Sequence, residues 1–589
     1  MTVLHDDMTH EVVLVGIGVS PGIAEGPVCL STNVFDVPGE ERVEEEELAG
    51  QLERFHAALG ETKRQLGALR DRVAQEAGTD DAFIFDAHQL MLEDRSLIEE
   101  VERLMRKVPQ KAEGAFYKVM SRYMEGMRRM DDEYLRERVA DIDDVARRVV
   151  RVLRGHADAA AHDQPHILLA LDISPSDTAV MDRTRVLGFA SESGSHTSHS
   201  TIMARSMAIP AVVGLPDITA RFHQGQPALL DGYRGLLIVN PTEETLENYR
   251  VVRRRKAALD RHLHEMIDLP AVTPDGQSLV LSANIEFANE VEGICAHGAA
   301  GVGLYRTEFF YIGRHDLPME DEQAANYARV AAGCGPEGVI IRTLDIGGDK
   351  LHHLHHGLEE SNPFLGWRGI RVSLSRHELF KTQLRAILRA GATGKVRLLF
   401  PMISCLEEIT AARALVAECK DELRSEGRAF DEGIEIGAMI EIPSAALIAD
   451  VLAPEVDFFS IGTNDLIQYT IAVDRGNELV ASLYQPFHPG IIRLMRMVAD
   501  ASERAGIWTG VCGEMAGEVL TTPLMVGLGF RELSMSAVQL PQVKFAVRRL
   551  PADRCRELVE QALRSRDAAH VKALCRDMAV QYYPELVAG

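Results

Sequence analysis

The sequence predicts a multidomain α/β protein: an α/β domain interrupted by a helical insert, a linker helix, and a C-terminal (β/α)8 TIM barrel. Three observations carry this. The chain has 589 residues, more than one hydrophobic core supports. A block of charged, helix-periodic sequence breaks into β-like texture near the N-terminus. After Ala271, short apolar strand candidates followed by helical stretches recur eight times, the pattern of a closed parallel barrel.

Residues 12–30, "VVLVGIGVSPGIAEGPVCL", alternate β-branched residues with Gly and Pro and read as a strand, a turn and a second strand. The texture then changes. "VEEEELAGQLERFHAALGETKRQLGALRDRVAQEAG" carries apolar residues at helical spacing, and further such helices follow. The insert is bounded at 33–145. Strand-like sequence resumes at "HILLALDIS" (166–174), so residues 1–32 and 146–239 form one domain. "NPTEETLENYRVVRRRKAALDRHLHEM" is highly charged with few core positions, which marks 240–271 as a linker helix and hinge. The barrel takes 272–589. Its strands are predicted in "SLVLSANI", "GVGLYRTE", "GVIIRTLDIG", "VRLLFPMI", "IEIGAMIEIP", "FFSIGTNDL", "WTGVCGE" and "ELSMS". A doubly wound open sheet also alternates strand and helix, but it has no reason to number eight.

Composition narrows the function. No apolar run approaches the roughly 20 residues of a membrane span, and the start "MTVLHDDMTHEVVLVG" lacks the basic and apolar regions of a signal peptide. A cytoplasmic address and no membrane insertion are expected. The eight cysteines show no CxxC pair or zinc spacing. A net charge of −25 disfavours nucleic acid and favours a basic protein partner or simple solubility.

Polar residues gather at the C-terminal ends of the predicted strands: Asn284, Arg306, Arg342, Glu441, Asp465 and Cys512. Barrel active sites lie at that end. Arg306, Arg342 and Arg368 sit in apolar surroundings, "LYRTEFF", "IIRTLDIGG" and "NPFLGWRGIR", and Arg475 lies further on. Buried guanidinium groups need partners, and a multiply anionic ligand would serve all of them. Glu441 and Asp465 close adjacent strands; they fit a hard divalent cation such as Mg²⁺, or one of them pairs with a neighbouring arginine instead. Cys512 is a buried small hydrophobe or, beside a metal and arginines, a proton donor.

These residues lie in long motifs: "TSHSTIMAR" (197–205), "GVGLYRTEFF" (301–310), "RTLDIGGDK" (342–350), "NPFLGWRGIR" (362–371), "FFSIGTNDLIQYTIAVDRGN" (458–477) and "GVCGEMAG" (510–517). Through them the chain resembles, nearly end to end, the enzyme I family of the phosphoenolpyruvate:sugar phosphotransferase system. The resemblance implies a swivelling phosphohistidine domain with His199 as phosphoryl acceptor. It implies that Arg306, Arg342, Arg368, Asn464, Asp465 and Arg475 bind phosphoenolpyruvate and that Glu441 and Asp465 bind Mg²⁺. Cys512 becomes the acid that protonates enolpyruvate. The insert becomes the docking surface for the phosphocarrier protein HPr, with acidic positions such as Glu93 and Asp94 facing a basic partner, and the barrel becomes the part that forms a homodimer.

His196 and His199 compete for the acceptor role. A helix is predicted to begin at Thr197 or Ser198, both good N-caps. His199 then stands in the first turn, where free N–H groups and the helix dipole favour a phosphoryl anion. Ser195 departs from the family's second glycine, and "KLHHLHHGLEE" (350–360), with His352, His353, His355 and His356, departs as a His-rich stretch that reads as an exposed barrel loop or as a cluster able to bind a transition metal. The rival readings are a phosphoenolpyruvate synthase or pyruvate phosphate dikinase, for which no ATP-binding segment remains, and a regulatory, nitrogen-type paralogue or phosphosignalling scaffold.

Overall fold

The computed structural model describes the chain from His10 to Val587 except residues 32–37, 40, 77–87, 90, 129–132, 156–163, 172, 174–183, 194–208, 312–315, 348–359, 361, 476 and 478–479. The chain divides into two units, Met1–Arg255 and Lys256–Gly589. The division falls inside the helix Glu243–Glu265, within the segment the sequence marks as a linker.

The first unit holds an eight-stranded mixed sheet. Its strands are β1 (Val12–Val15), β2 (Ile17–Ser20), β3 (Ile23–Leu30), β4 (His166–Ala170), β5 (Val186–Ser191), β6 (Ala211–Val213), β7 (Pro227–Asp231) and β8 (Leu236–Val239). The order is β1-β8-β7-β3-β4-β5-β6-β2. Residues 12–30 therefore form three strands rather than the two expected. Gly16 alone separates β1, which pairs with β8, from β2, which pairs with β6, so the chain crosses between opposite ends of the sheet at one residue. A side chain at Gly16 would meet the Val213 carbonyl at 2.6 Å. β3, β4 and β5 pair in parallel, although β4 follows β3 only after the helices. Ile167, Leu169, Val212 and Leu230 fill one core, and Phe189, Ala211 and Val213 another.

Between β3 and β4 run the helices Leu48–Glu76, Arg95–Lys107, Ala112–Arg128 and Glu133–Leu153. They close on a core of their own that includes Phe55, Leu66, Val101, Phe116, Val119 and Val149. Asp94 caps the second helix by accepting from the Ser96 and Leu97 amides at 2.8 and 3.3 Å, and Glu93 pairs with Lys63. Both acidic positions thus have structural partners within the insert.

The second unit is a closed parallel barrel. All eight predicted strands are present: β9 (Val280–Ile285), β10 (Val302–Arg306), β11 (Val339–Arg342), β12 (Val396–Phe400), β13 (Glu435–Ile440), β14 (Phe458–Ile461), β15 (Trp508–Val511) and β16 (Glu532–Met535). They pair in chain order, and β16 returns to β9. Ile341, Leu398, Ala438 and Phe459 pack in the large core shared with the surrounding helices. Their neighbours Leu304, Ile340, Leu399, Met439 and Phe458 form a separate cluster with Cys512, the inward layer of the barrel. Among the described residues no helix is long and apolar enough to cross a membrane.

Candidate active site

Strand geometry decides which side chains reach the barrel mouth. Side chains alternate along a strand with period two. Leu304 and Ile340 face inward, so Arg306 and Arg342, two residues on, face inward at the C-terminal rim. Met439 aims Glu441 in the same way. Ser460 shares the inward row of Phe458, and Cys512 follows Gly510 on β15. Five strands thereby deliver chemistry to one end of the barrel.

The arginines are already partnered. Arg342, 8% exposed, pairs with Glu308 and, at 3.0 Å, with Asp345. Arg368 donates to Asp345 at 3.1 Å and to Asp465 at 3.4 Å, and to the Tyr469 hydroxyl at 3.3 Å. Burial works against both charges, but the facing carboxylates more than offset it and push both pKa values up. The expectation that buried guanidinium groups need an external anion is therefore corrected for these two: protein carboxylates neutralise them. Arg306 and Arg475 are more open. Arg306 donates to Glu286 at 2.7 Å, and Arg475 lies 3.7 Å from Glu514 with its side chain 44% exposed. Asn464 and Glu514 bond reciprocally, side chain to side chain at 3.0 Å and side chain to amide at 2.9 Å.

Two glycines permit this crowding. A Cβ at Gly462 would meet Glu441 Oε2 at 2.7 Å. Gly369 has φ +59°, and a Cβ there would meet Met402 Cγ at 2.8 Å and Asp345 Oδ1 at 3.0 Å. The turn that carries Arg368 can lie against Asp345 only because residue 369 has no side chain. Glu441 is 2% exposed and accepts from the Met402 amide at 2.7 Å. Burial, then the negative charges of Asp345 and Asp465, push its pKa up to about 8. Among the described residues no three His, Cys, Asp or Glu groups assemble a metal site by themselves. Two hard carboxylates beside an open mouth do fit a magnesium ion, which takes its remaining ligands from water and substrate oxygens.

Cys512, 3% exposed, accepts a hydrogen bond from the Ser460 hydroxyl at 3.2 Å. Its own thiol points to the Ile461 carbonyl at 3.7 Å. Burial pushes this thiol up to about 11, so at neutral pH it holds its proton. Cys512 lines a cavity of about 240 Å³ together with Asn284, Arg306, Gly513, Glu514 and Gln539. Asn284 Nδ2 donates to the Cys512 carbonyl at 3.1 Å, which fixes the backbone beneath the sulfur.

The barrel thus brings together Arg306, Arg342, Arg368, Glu441, Asn464, Asp465, Arg475 and Cys512. His196, His199 and the histidines between 352 and 356 lie outside the described residues, as does the predicted helix start at Thr197 or Ser198. Sequence reading gave no role to Asp345, Glu308, Glu514 or Ser460. Asp345 and Ser460 stand inside "RTLDIGGDK" and "FFSIGTNDL", and the signal available was parity: Ser460 lies two residues from inward Phe458.

Comparison with known proteins covers nearly the whole chain. Family profiles match in three blocks: "PEP-utilising enzyme, N-terminal" over residues 15–138, "PEP-utilising enzyme, mobile domain" over 162–235, and "PEP-utilising enzyme, PEP-binding domain" over 260–552. The phosphoenolpyruvate-protein phosphotransferase of Listeria innocua is 42% identical over 563 residues, spanning 95% of this chain and 98% of its own. The protein of that name from Staphylococcus aureus is 42% identical over 93% of this chain and 96% of its own. That from Haemophilus influenzae is 40% identical over 96% of this chain and 99% of its own.

Proposed function

The chain belongs to the phosphoenolpyruvate-protein phosphotransferase family, and from that premise we propose that it moves a phosphoryl group from phosphoenolpyruvate to His199 and then to a histidine of the phosphocarrier HPr. Pyruvate is the other product, and the reaction is the first step of the sugar phosphotransferase system. One observation carries the reading: a single barrel mouth gathers four arginines, two carboxylates suited to a cation and a buried thiol.

In this reading Arg306 and Arg475, the two open guanidinium groups, exchange Glu286 and Glu514 for the substrate's phosphate and carboxylate oxygens. Arg342 and Arg368 stay paired and set the field around the transferring group. Asn464 orients the substrate beside them. Glu441 and Asp465 would hold Mg²⁺, which when bound neutralises charge on the phosphate oxygens. Cys512 keeps its proton until enolpyruvate needs it at carbon. The helical residues 33–145 dock HPr, residues 240–271 act as the hinge, and residues 272–589 carry the homodimer contact, as the family resemblance implies. Eight free cysteines suit the reducing cytoplasm.

The test is incubation with ³²P-labelled phosphoenolpyruvate and Mg²⁺, with and without purified HPr. Acid-labile label on His199, its passage to HPr and matching pyruvate release are expected. No label, or an acid-stable serine or threonine ester, would overturn the assignment. His199→Ala should abolish labelling, whereas His196→Ala should leave most of it.

A further inference from the structure

We propose that Ser460 is a positioning residue for the thiol of Cys512, holding the sulfur in the resting enzyme and stabilising the negative charge it acquires when its proton has gone to carbon. This rests on the reading of Cys512 as the acid. Ser460 is 2% exposed and opposes Gly510 on the neighbouring strand. That glycine presents no side chain between the hydroxyl and the sulfur two residues further along. The Ser460 hydroxyl donates to Cys512 Sγ at 3.2 Å, and the thiol faces the Ile461 carbonyl at a loose 3.7 Å. The sulfur is therefore gripped through its lone pair, while its own proton is weakly held.

The enol oxygen–phosphorus bond breaks as a nitrogen–phosphorus bond forms at His199, and the oxygen's electron pair becomes the carbonyl of pyruvate. The carbon–carbon double-bond pair takes the proton of Cys512, so a C–H bond forms, the S–H bond breaks, and its electron pair stays on sulfur. Water then returns a proton to the thiolate. A hydroxyl bond to a neutral thiol is weak, and the same bond to a thiolate is charge-assisted. The Ser460 contact therefore strengthens as charge develops, and an interaction of that kind acts on kcat rather than on substrate binding. The charged groups that bear on the sulfur are Arg342 and Arg306, which favour the thiolate, and Glu441, which opposes it. Burial disfavours it further, so a local hydroxyl donor is the fitting compensation.

The experiment uses full-length Ser460→Ala, Ser460→Thr and Cys512→Ala. Pyruvate formation from phosphoenolpyruvate with HPr gives kcat and KM, and iodoacetamide alkylation of Cys512, followed by peptide mapping across pH, gives the thiol's titration. Ser460→Ala should lower kcat on the order of ten- to a hundredfold, leave KM within about twofold, and move the alkylation profile to higher pH. Ser460→Thr, which keeps the hydroxyl, should restore both. Unchanged kcat with an unmoved profile would overturn the proposal. So would a rise in KM with no shift in the profile, which marks a merely structural serine. A fully active Cys512→Ala would instead overturn the reading of Cys512 as the acid. The alkylation arm uses neither substrate nor HPr, so it reads the Ser460 contact independently of that outcome.

Discussion

Asp345, whose side chain is 3% exposed, accepts from both Arg342 and Arg368. It joins the positive charges of Arg342, at the end of β11, and Arg368, in the turn before the helix Ile370–Ser375, at one carboxylate. Asp345→Asn preserves volume and removes the charge, leaving two buried guanidinium groups short of a partner. A loss of about 3 kcal/mol in the urea-unfolding free energy is expected, the scale for breaking a buried pair from one side. Cys512 and Asp465 separate at the same scale. Cys512→Ala should keep phosphoenolpyruvate binding and lose roughly 10²- to 10⁴-fold in turnover, as for a missing general acid. Asp465→Ala should weaken binding too, because it would remove a proposed cation ligand and frees Arg368 from one of its two carboxylates. Calorimetric titration of phosphoenolpyruvate with Mg²⁺ distinguishes the two: equal binding losses would mean that Cys512 shapes the pocket rather than donating a proton.

Between residues and domains, turns and caps hold the rim in place. Gly369 is the sharpest case, because its φ of +59° coincides with contacts under about 3 Å for any added Cβ. Gly369→Ala should cost about 1–3 kcal/mol and lower kcat by displacing Arg368 from the field around the transferring group; thermal unfolding and steady-state kinetics read the two effects. At the far end of the barrel chain, Asp275 caps a remote helix. Its carboxylate accepts from the Ala552 and Asp553 amides at 2.9 and 3.1 Å, at the start of the helix Ala552–Arg564. The Ala552 bond first, then Thr273, draws its pKa from 3.8 down to about 2. A depressed carboxylate contributes stability above its unfolded value near 3.8 and loses it as pH falls through about 2. The group is exposed, so Asp275→Ala should cost only roughly 0.5–1 kcal/mol at pH 7. The difference from the parent should vanish between about pH 4 and pH 2 in acid-unfolding curves.

For the molecule as a whole, each unit has its own apolar packing, and the described helices of residues 48–153 close on a separate core of their own. A chain excursion that closes on its own core can be removed with less damage than one woven into its host. The helix Glu133–Leu153 carries the insert past the boundary expected at 145, so deletion of 33–153 is expected to block transfer to HPr while the barrel still binds phosphoenolpyruvate, measured by HPr phosphorylation alongside ligand titration. HPr phosphorylation retained in the deletion would move the docking surface elsewhere. Raising salt should slow transfer in the parent, if the net charge of −25 steers the proposed basic partner through long-range attraction.

The sequence by itself determined the barrel, because eight apolar segments of strand length alternating with helices leave few other closed solutions, and all eight pair in chain order. It also determined which residues stand at the rim, since period-two alternation carries Leu304 to Arg306 and Met439 to Glu441. The long motifs identified the family. Only the tertiary structure decided how those residues are partnered. Asp345 is three residues from Arg342 but 23 from Arg368, and it binds both. Ser460 lies 52 positions from the sulfur it touches. Such pairings depend on which strands become neighbours and how their turns fold back, contacts of high sequence separation that local periodicity does not encode. The split of 12–30 into three strands has the same cause: pairing at opposite ends of one sheet, not local propensity, broke the run at Gly16.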